Sequence, residues 1–336
     1  MLISGLTGVL LVVLGLAVTF DFINGFHDTA NAIATSVSTR AIKPQWAIVL
    51  SATANFVGAL TGVAVATTIG SGLISHAAES QTVVAAALVG GIVWNLVTWW
   101  QGIPSSSSHA LIGGLLGAAA VAAGFGSWNL SGVTVKVLLP LIGSPVAGFA
   151  IALLLMVVIF NVFRRVHPRP MNDTFRRLQI LSAAFMAFSH GSNDAQKTMG
   201  VMTLALVNAG VLSEFSVPLP VIIAAATAIS LGTAAGGWRI IRTMGSRVVK
   251  LDPVHGFAAE TTAASVIFAA SHFGMPVSTT HVISGAIMGV GSSDRFNAVR
   301  WAVARNIGIA WVLTLPASAI VAGLAYLVLH LLIGPS

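Results

Sequence analysis

The residues best suited to chemistry in this chain come in two polar motifs, each present twice. One is Phe22-Ile-Asn-Gly-Phe-His-Asp28-Thr-Ala-Asn31, echoed by Phe188-Ser-His-Gly-Ser-Asn-Asp194-Ala-Gln-Lys197. The other is Gly102-Ile-Pro-Ser-Ser-Ser-Ser-His109, echoed by Gly274-Met-Pro-Val-Ser-Thr-Thr-His281. In the second motif proline suits a helix start and Ser or Thr suits the cap. A helix N-terminus offers free N–H groups and partial positive charge, which together attract anions. Ser105, Ser106, Ser107 and Ser108 in one copy, and Ser278, Thr279 and Thr280 in the other, add hydroxyl donors. Two such tips facing each other would surround a tetrahedral oxyanion. The plainer reading is capping with Ser/Thr packing between membrane helices. Two copies at matching positions favour the ligand reading.

The first motif carries carboxylates. Asp28 and Asp194 lie in apolar surroundings, where an ionisable group is costly and marks function by default. Each is a candidate to bind a coupling cation, Na+ included, or to carry a proton; capping a broken helix or pairing with a neighbour is the structural alternative. Lys197, three residues after Asp194, suits a helical ion pair or a direct contact to an anion. Asn24, Asn31, Asn193 and Gln196 offer carbonyl oxygens to a cation or amides to an anion, and the residue types do not separate the two. Glu260 is a third intramembrane carboxylate; its counterpart is Leu88, so it breaks the duplication and is either a proton or cation group or a buried glutamate bonded to hydroxyls. Asp21, one turn from Asn24, could do either job. His27, His109 and His281 read as hydrogen-bonding residues.

These motifs need a membrane to sit in. Charged residues make up 7% of the chain, against roughly 25% in a soluble domain. Pro44–Ala78, Ser80–Val135, Thr261–Ser293 and Asn306–Ser336 contain no Asp, Glu, Lys or Arg. The pattern predicts an all-α polytopic membrane protein with segments at 4–38, 45–70, 82–100, 104–124, 133–162, 178–207, 219–239, 256–273, 277–292 and 300–332. Segment 4–38 does not read as a cleaved signal, since it lacks a basic start and runs into the Asp28 motif. The chain has no cysteine, which excludes disulfides and thiolate metal sites.

The formal charge of +7 does not indicate nucleic acid, because of where it lies. Lys and Arg fall in alternate gaps, and the gaps near 71–81, 125–132 and 208–218 have none. If 82–100 with 104–124, and 256–273 with 277–292, are re-entrant hairpins entered from opposite sides, 14 of the 16 basic residues face the cytoplasm. Both termini are then outside. The halves, 1–165 and 178–336 around a cytoplasmic basic linker at 166–177, are inverted repeats. Four full crossings in place of the hairpins is the rival layout. Segments 4–38 and 178–207 exceed the ~30 Å hydrocarbon core at about 1.5 Å per residue. They are expected to tilt, or to break near Asn24-Gly25 and Gly191–Asp194, as helices that form transporter sites do. A Ser–His hydrolase is disfavoured, since Ser105–Ser108 run straight into His109 with no nucleophile elbow. No catalytic chemistry or cofactor is expected; an anion channel stays as an alternative.

At these residues the chain resembles the inorganic phosphate transporter (Pit) family of permeases. Gly25-Phe-His-Asp28-Thr-Ala-Asn31 and Gly191-Ser-Asn-Asp194-Ala-Gln-Lys197 match its duplicated signature, with Lys197 where the common pattern has Asn. The Pro-x-Ser-[Ser/Thr]-[Ser/Thr]-His tips match as well, and the likeness covers essentially the whole chain. The resemblance implies phosphate symport across a bacterial inner membrane, essential aspartates, hairpin tips close to phosphate, and a homodimer. The Phe-His-Asp-Thr-Ala-Asn wording is most similar to proton-coupled members that carry neutral metal–phosphate. Other members use sodium, and some bacterial relatives carry sulfate, so a sulfate or general oxyanion permease of the same fold is the alternative.

Overall fold

The protein is described by a computed structural model covering residues 8–75 and 79–333. The same succession of elements occurs twice. A long helix, α1 (Gly8–Ser38), leads into a bent pair, α2 (Pro44–Ala59) and α3 (Ala64–Ser71), turned by 72°. A helical hairpin follows, α4 (Gln81–Gln101) and α5 (Ser107–Ala123). A short α6 (Leu130–Val133) passes through a π-helical turn into α7 (Leu139–Phe163). The second half repeats this with α8 (Pro168–Asn208), the pair α9 (Leu219–Ala235) and α10 (Trp238–Arg242) bent by 60°, the hairpin α11 (Pro253–His272) and α12 (Thr279–Asp294), and α13 (Trp301–Ile333). No strand occurs among the described residues beyond an isolated bridge between Ile74 and Trp128.

Among the described residues, Gly8–Ser38, Gln81–Gln101, Leu130–Phe163 and Trp301–Leu332 are long and apolar enough to cross a membrane, and counting each bent pair as one span gives six. Segment 178–207 lies within α8, whose middle is too polar to face lipid; Ser189–Leu206 is buried inside the protein. The outer faces of α7 and α13 are exposed and apolar, for example Ile142, Leu154, Val312 and Leu324.

The halves are interleaved. α7 packs on α12 of the other half's hairpin, and α13 packs on α5. Likewise α1 lies against α9, and α8 against α2. Two apolar cores result. One holds Leu10–Phe20 of α1 with Ala195–Leu206 of α8 and the first hairpin. The other holds Ala30–Ala34 of α1 with Phe175–Ala187 of α8 and the second hairpin. The polar stretches of α1 and α8 are left between the two cores.

Of the two possibilities for the long segments, tilting or breaking, the second does not occur. α1 and α8 do not break at Asn24-Gly25 or at Gly191–Asp194; both run through without interruption. The glycines serve close helix crossing instead. A Cβ at Gly25 would lie 2.2 Å from the Ile229 carbonyl oxygen, and one at Gly191 would lie 2.2 Å from that of Asn55. The breaks fall in the next elements, between Ala59 and Ala64 and at Gly236-Gly237. The basic stretch 166–177 is helical from Pro168 onward, so it runs directly into the first helix of the second half.

Candidate functional site

The crossing of α1 and α8 brings both copies of the first motif together. Asp28 and Asp194 flank one imidazole: His190 Nε2 is 4.0 Å from Asp28 Oδ2 and 3.4 Å from Asp194 Oδ2. His190 is held by a chain of bonds. Thr233 Oγ1 donates to the Ile229 carbonyl (2.9 Å) and accepts from Asn55 Nδ2 (2.8 Å). Asn55 Oδ1 therefore faces His190 Nδ1 at 2.9 Å and takes its hydrogen. In the neutral ring, Nε2 then points a lone pair at the two carboxylates, and it has no hydrogen-bond partner. Asp28, His190 and Asp194 each offer a ligand atom within 4.8 Å of the others, a grouping that could hold a cation. His190 was not singled out in the sequence reading; its spacing four residues before Asp194 is the signal that could have found it.

The hairpin tips converge on the same place. Gly102 and Gly274 end α4 and α11 with φ of 68° and 66°, a left-handed turn that glycine allows. The chain then enters the second arm through an N-cap: Ser106 Oγ accepts from His109 N and Ser278 Oγ from His281 N, each at 3.2 Å. Both hydroxyl hydrogens remain available to an anion. Ser108 Oγ donates to the Val277 carbonyl (3.4 Å), which joins the tips. All seven tip residues, Ser105–Ser108 and Ser278–Thr280, are buried.

Lys197 ties carboxylate and tips together. Its Nζ is 2.5 Å from Asp194 Oδ1, 3.1 Å from the Val277 carbonyl, and bonded to Ser108 Oγ. Thr279 Oγ1 donates to Asp194 Oδ2 (3.3 Å). On the other side His27 Nδ1 meets Asp28 Oδ1 at 2.6 Å. Asn31 Nδ2 reaches Thr280 Oγ1 (2.9 Å) and Asn193 Nδ2 reaches Ser271 Oγ (2.8 Å). With their amides committed, the oxygens of Asn31 and Asn193 are buried without partners, as is Asn24 Oδ1. These are acceptors of the kind a cation uses.

Other candidates lie elsewhere. Gln196 is occupied at both ends, by Val65 N (2.8 Å) and the Ser192 carbonyl (2.6 Å), and belongs to the α3–α8 contact. Glu260 forms a separate buried cluster away from the aspartates, accepting from Thr35, from Ser182 Oγ (2.5 Å) and from Gln179 Nε2 (3.2 Å). Asp21 is fully buried beside Thr198 and Asn24. His109 and His281 face each other with ring centroids 4.9 Å apart, and His281 stacks on Trp311.

Known proteins share the sequence and the fold of this chain. Residues 24–322 match the phosphate transporter family. The chain is 49% identical over 319 residues to a protein of Bacillus subtilis (strain 168) described as a probable low-affinity inorganic phosphate transporter, covering 94% of this chain and 96% of that one. It is 50% identical over 315 residues to a protein of Rhizobium meliloti (strain 1021) with the same description, covering 93% and 94%. Among solved structures, one titled as the sodium-dependent phosphate transporter superposes with a TM-score of 0.91 at 25% identity, covering 97% of this chain and 100% of that one. The chain belongs to the phosphate transporter family and is a membrane transporter, not an enzyme.

Proposed function

We propose that this chain imports inorganic phosphate across a bacterial inner membrane by cation-coupled symport, with the proton favoured over sodium as coupling ion. The observation that carries the reading is the buried network in which Asp28, Asp194, His190 and Lys197 meet both hairpin tips. Tip hydroxyls and Lys197 suit an anion; the carboxylates and the unpartnered oxygens of Asn24, Asn31 and Asn193 suit cations beside it. Coupling has an energetic reason. Moving two negative charges inward against 100 mV costs roughly 4.6 kcal/mol, at about 2.3 per charge. Cotransported cations, or a metal ion carried as a neutral complex with phosphate, cancel that cost. Glu260, in its own buried cluster with three neutral donors, is a candidate proton-carrying group apart from the aspartates.

The duplicated element order and the two apolar cores support inverted repeats that rock around this site, with hairpins entered from opposite faces and both termini outside. The test is counterflow of labelled phosphate in proteoliposomes, with sodium and pH gradients imposed separately. A pH gradient should drive accumulation and a sodium gradient should not. Accumulation under sodium alone would reverse the coupling assignment, and competition by sulfate equal to that by phosphate would move the protein to general oxyanion transport.

A further inference from the structure

His27 has a role that its counterpart cannot share. The matching position in the second half is Asn193, which touches the hairpin at Ser271 Oγ and the Met275 carbonyl. His27 is longer and bridges. Its Nδ1 lies 2.6 Å from Asp28 Oδ1, and its Nε2 lies 3.0 Å from Thr98 Oγ1 and 3.4 Å from Ser105 Oγ. Thr98 and Ser105 are themselves 2.8 Å apart, oxygen to oxygen. All four side chains are buried.

Hydrogen counting decides which way these groups point. An ionised carboxylate only accepts, so the hydrogen between Asp28 and His27 belongs to Nδ1. In the neutral ring Nε2 is then an acceptor and needs a hydrogen from a hydroxyl. The 2.8 Å contact between Thr98 and Ser105 needs a second. Thr98 and Ser105 own one hydroxyl hydrogen each. If Thr98 donates to Nε2, Ser105 must donate to Thr98. If Thr98 donates to Ser105, Ser105 must donate to Nε2. Should Thr98 donate instead to the Trp94 carbonyl at 3.0 Å, Ser105 supplies the inward hydrogen. With the ring neutral, each of these arrangements spends the Ser105 hydrogen inside the cluster. To any further partner Ser105 then offers lone pairs only.

Its neighbours are the opposite. Ser106 and Ser278 use lone pairs on the capping N–H groups and keep hydrogens to give, and Lys197 is donor-only. An acceptor set beside these donors recognises an oxyanion that itself carries a hydroxyl. We infer that His27 is a specificity-determining positioning residue: through Thr98 it holds Ser105 as an acceptor, so that the site takes tetrahedral oxyanions retaining a hydroxyl and disfavours those without one. The inference rests on the phosphate reading above. Phosphate and arsenate keep a hydroxyl at neutral pH; sulfate and fluorophosphate do not.

Labelled phosphate uptake into proteoliposomes, competed by arsenate, fluorophosphate and sulfate, is the test. In the wild type arsenate should compete well and fluorophosphate about tenfold or more weakly, the worth of one buried acceptor left unpaired. Ser105→Ala removes the acceptor and should shrink that ratio severalfold while raising the KM for phosphate. His27→Asn frees the Ser105 hydrogen to turn outward and should shrink it further. A merely structural His27 would lower uptake for every anion and leave the ratio unmoved, and that result overturns the inference. If His27→Asn cannot be purified folded, Ser105→Ala decides alone: an unchanged ratio there overturns it too. Wild-type uptake of phosphate with fluorophosphate competing as well as arsenate refutes this inference only. Wild-type vesicles that take up no phosphate refute the phosphate reading beneath it.

Discussion

Replacing Lys197 by methionine isolates the ion pair at the centre of the site. The substitution keeps the length of the side chain and removes its charge. Lys197 and Asp194 are both buried, and Nζ is 2.5 Å from Oδ1. Lys197→Met leaves a carboxylate out of water with only the Thr279 hydroxyl, at 3.3 Å, donating to it. Breaking a buried pair from one side costs about 3–5 kcal/mol, because the remaining charge is uncompensated. Asp194→Asn should cost a similar amount from the other side. The double variant has no uncompensated charge and should cost less than the sum by about 2 kcal/mol or more. The assay is unfolding in detergent, followed by tryptophan fluorescence across the four proteins of the cycle. A loss below about 1 kcal/mol for Lys197→Met, equal whether or not Asp194→Asn is also present, would refute the view that this pair holds the site together.

Gly25→Ala and Gly191→Ala should each destabilise by about 1–3 kcal/mol or more, since the added methyl meets backbone at 2.2 Å; Gly143→Ala, with nothing within 4 Å, is the control that should not, and equal melting of all three would refute the crossing role. His255, at the base of the second hairpin, bonds Asp252 (2.8 Å) and pairs with Asp294 (3.3 Å). Burial pushes its pKa down, but the Asp252 bond and both carboxylate charges outweigh burial and raise it above the usual 6.5. That stability is fully present below about pH 6.5 and is lost as pH rises through the raised value. Melting temperature should therefore fall over that window in the wild type and less in His255→Asn; parallel curves would contradict it. For topology, a cysteine replacing Gly126 should react with an impermeant thiol reagent from outside and one replacing Asp294 only from the cytoplasm. Outside labelling at position 294 favours four full crossings over two hairpins.

Much of this was legible in residue order. The repeated Pro-x-Ser tips and the paired aspartates announce themselves by type and spacing, and uncharged runs mark the apolar elements. The Asn24-Gly25 stretch misled because a glycine in a helix reads equally as a break or as a close approach. The deciding atom, the Ile229 carbonyl oxygen, lies some two hundred residues away in sequence. His190 was within reach by its spacing from Asp194, but its tautomer was not: Asn55 and Thr233 on two other helices set it. Asn31 and Gln196 look alike as residue types, yet one keeps a free oxygen and the other does not. Glu260 stood out as an intramembrane carboxylate, but its donors come from α1 and α8 and carry no motif.

The account's central claim is that both aspartates and both hairpin tips form one coupled site. The most direct measurement is equilibrium binding of labelled phosphate to the purified protein, titrated at stepped pH and at stepped sodium concentration, for the wild type, Asp28→Asn and Asp194→Asn. Coupling between sites is reciprocal. Wild-type phosphate affinity should therefore rise with the coupling cation, by about 5–150-fold for a coupling of 1–3 kcal/mol, and that dependence should weaken in both variants. Phosphate affinity that ignores both cations in the wild type, or that keeps its full cation dependence in both variants, would contradict the claim.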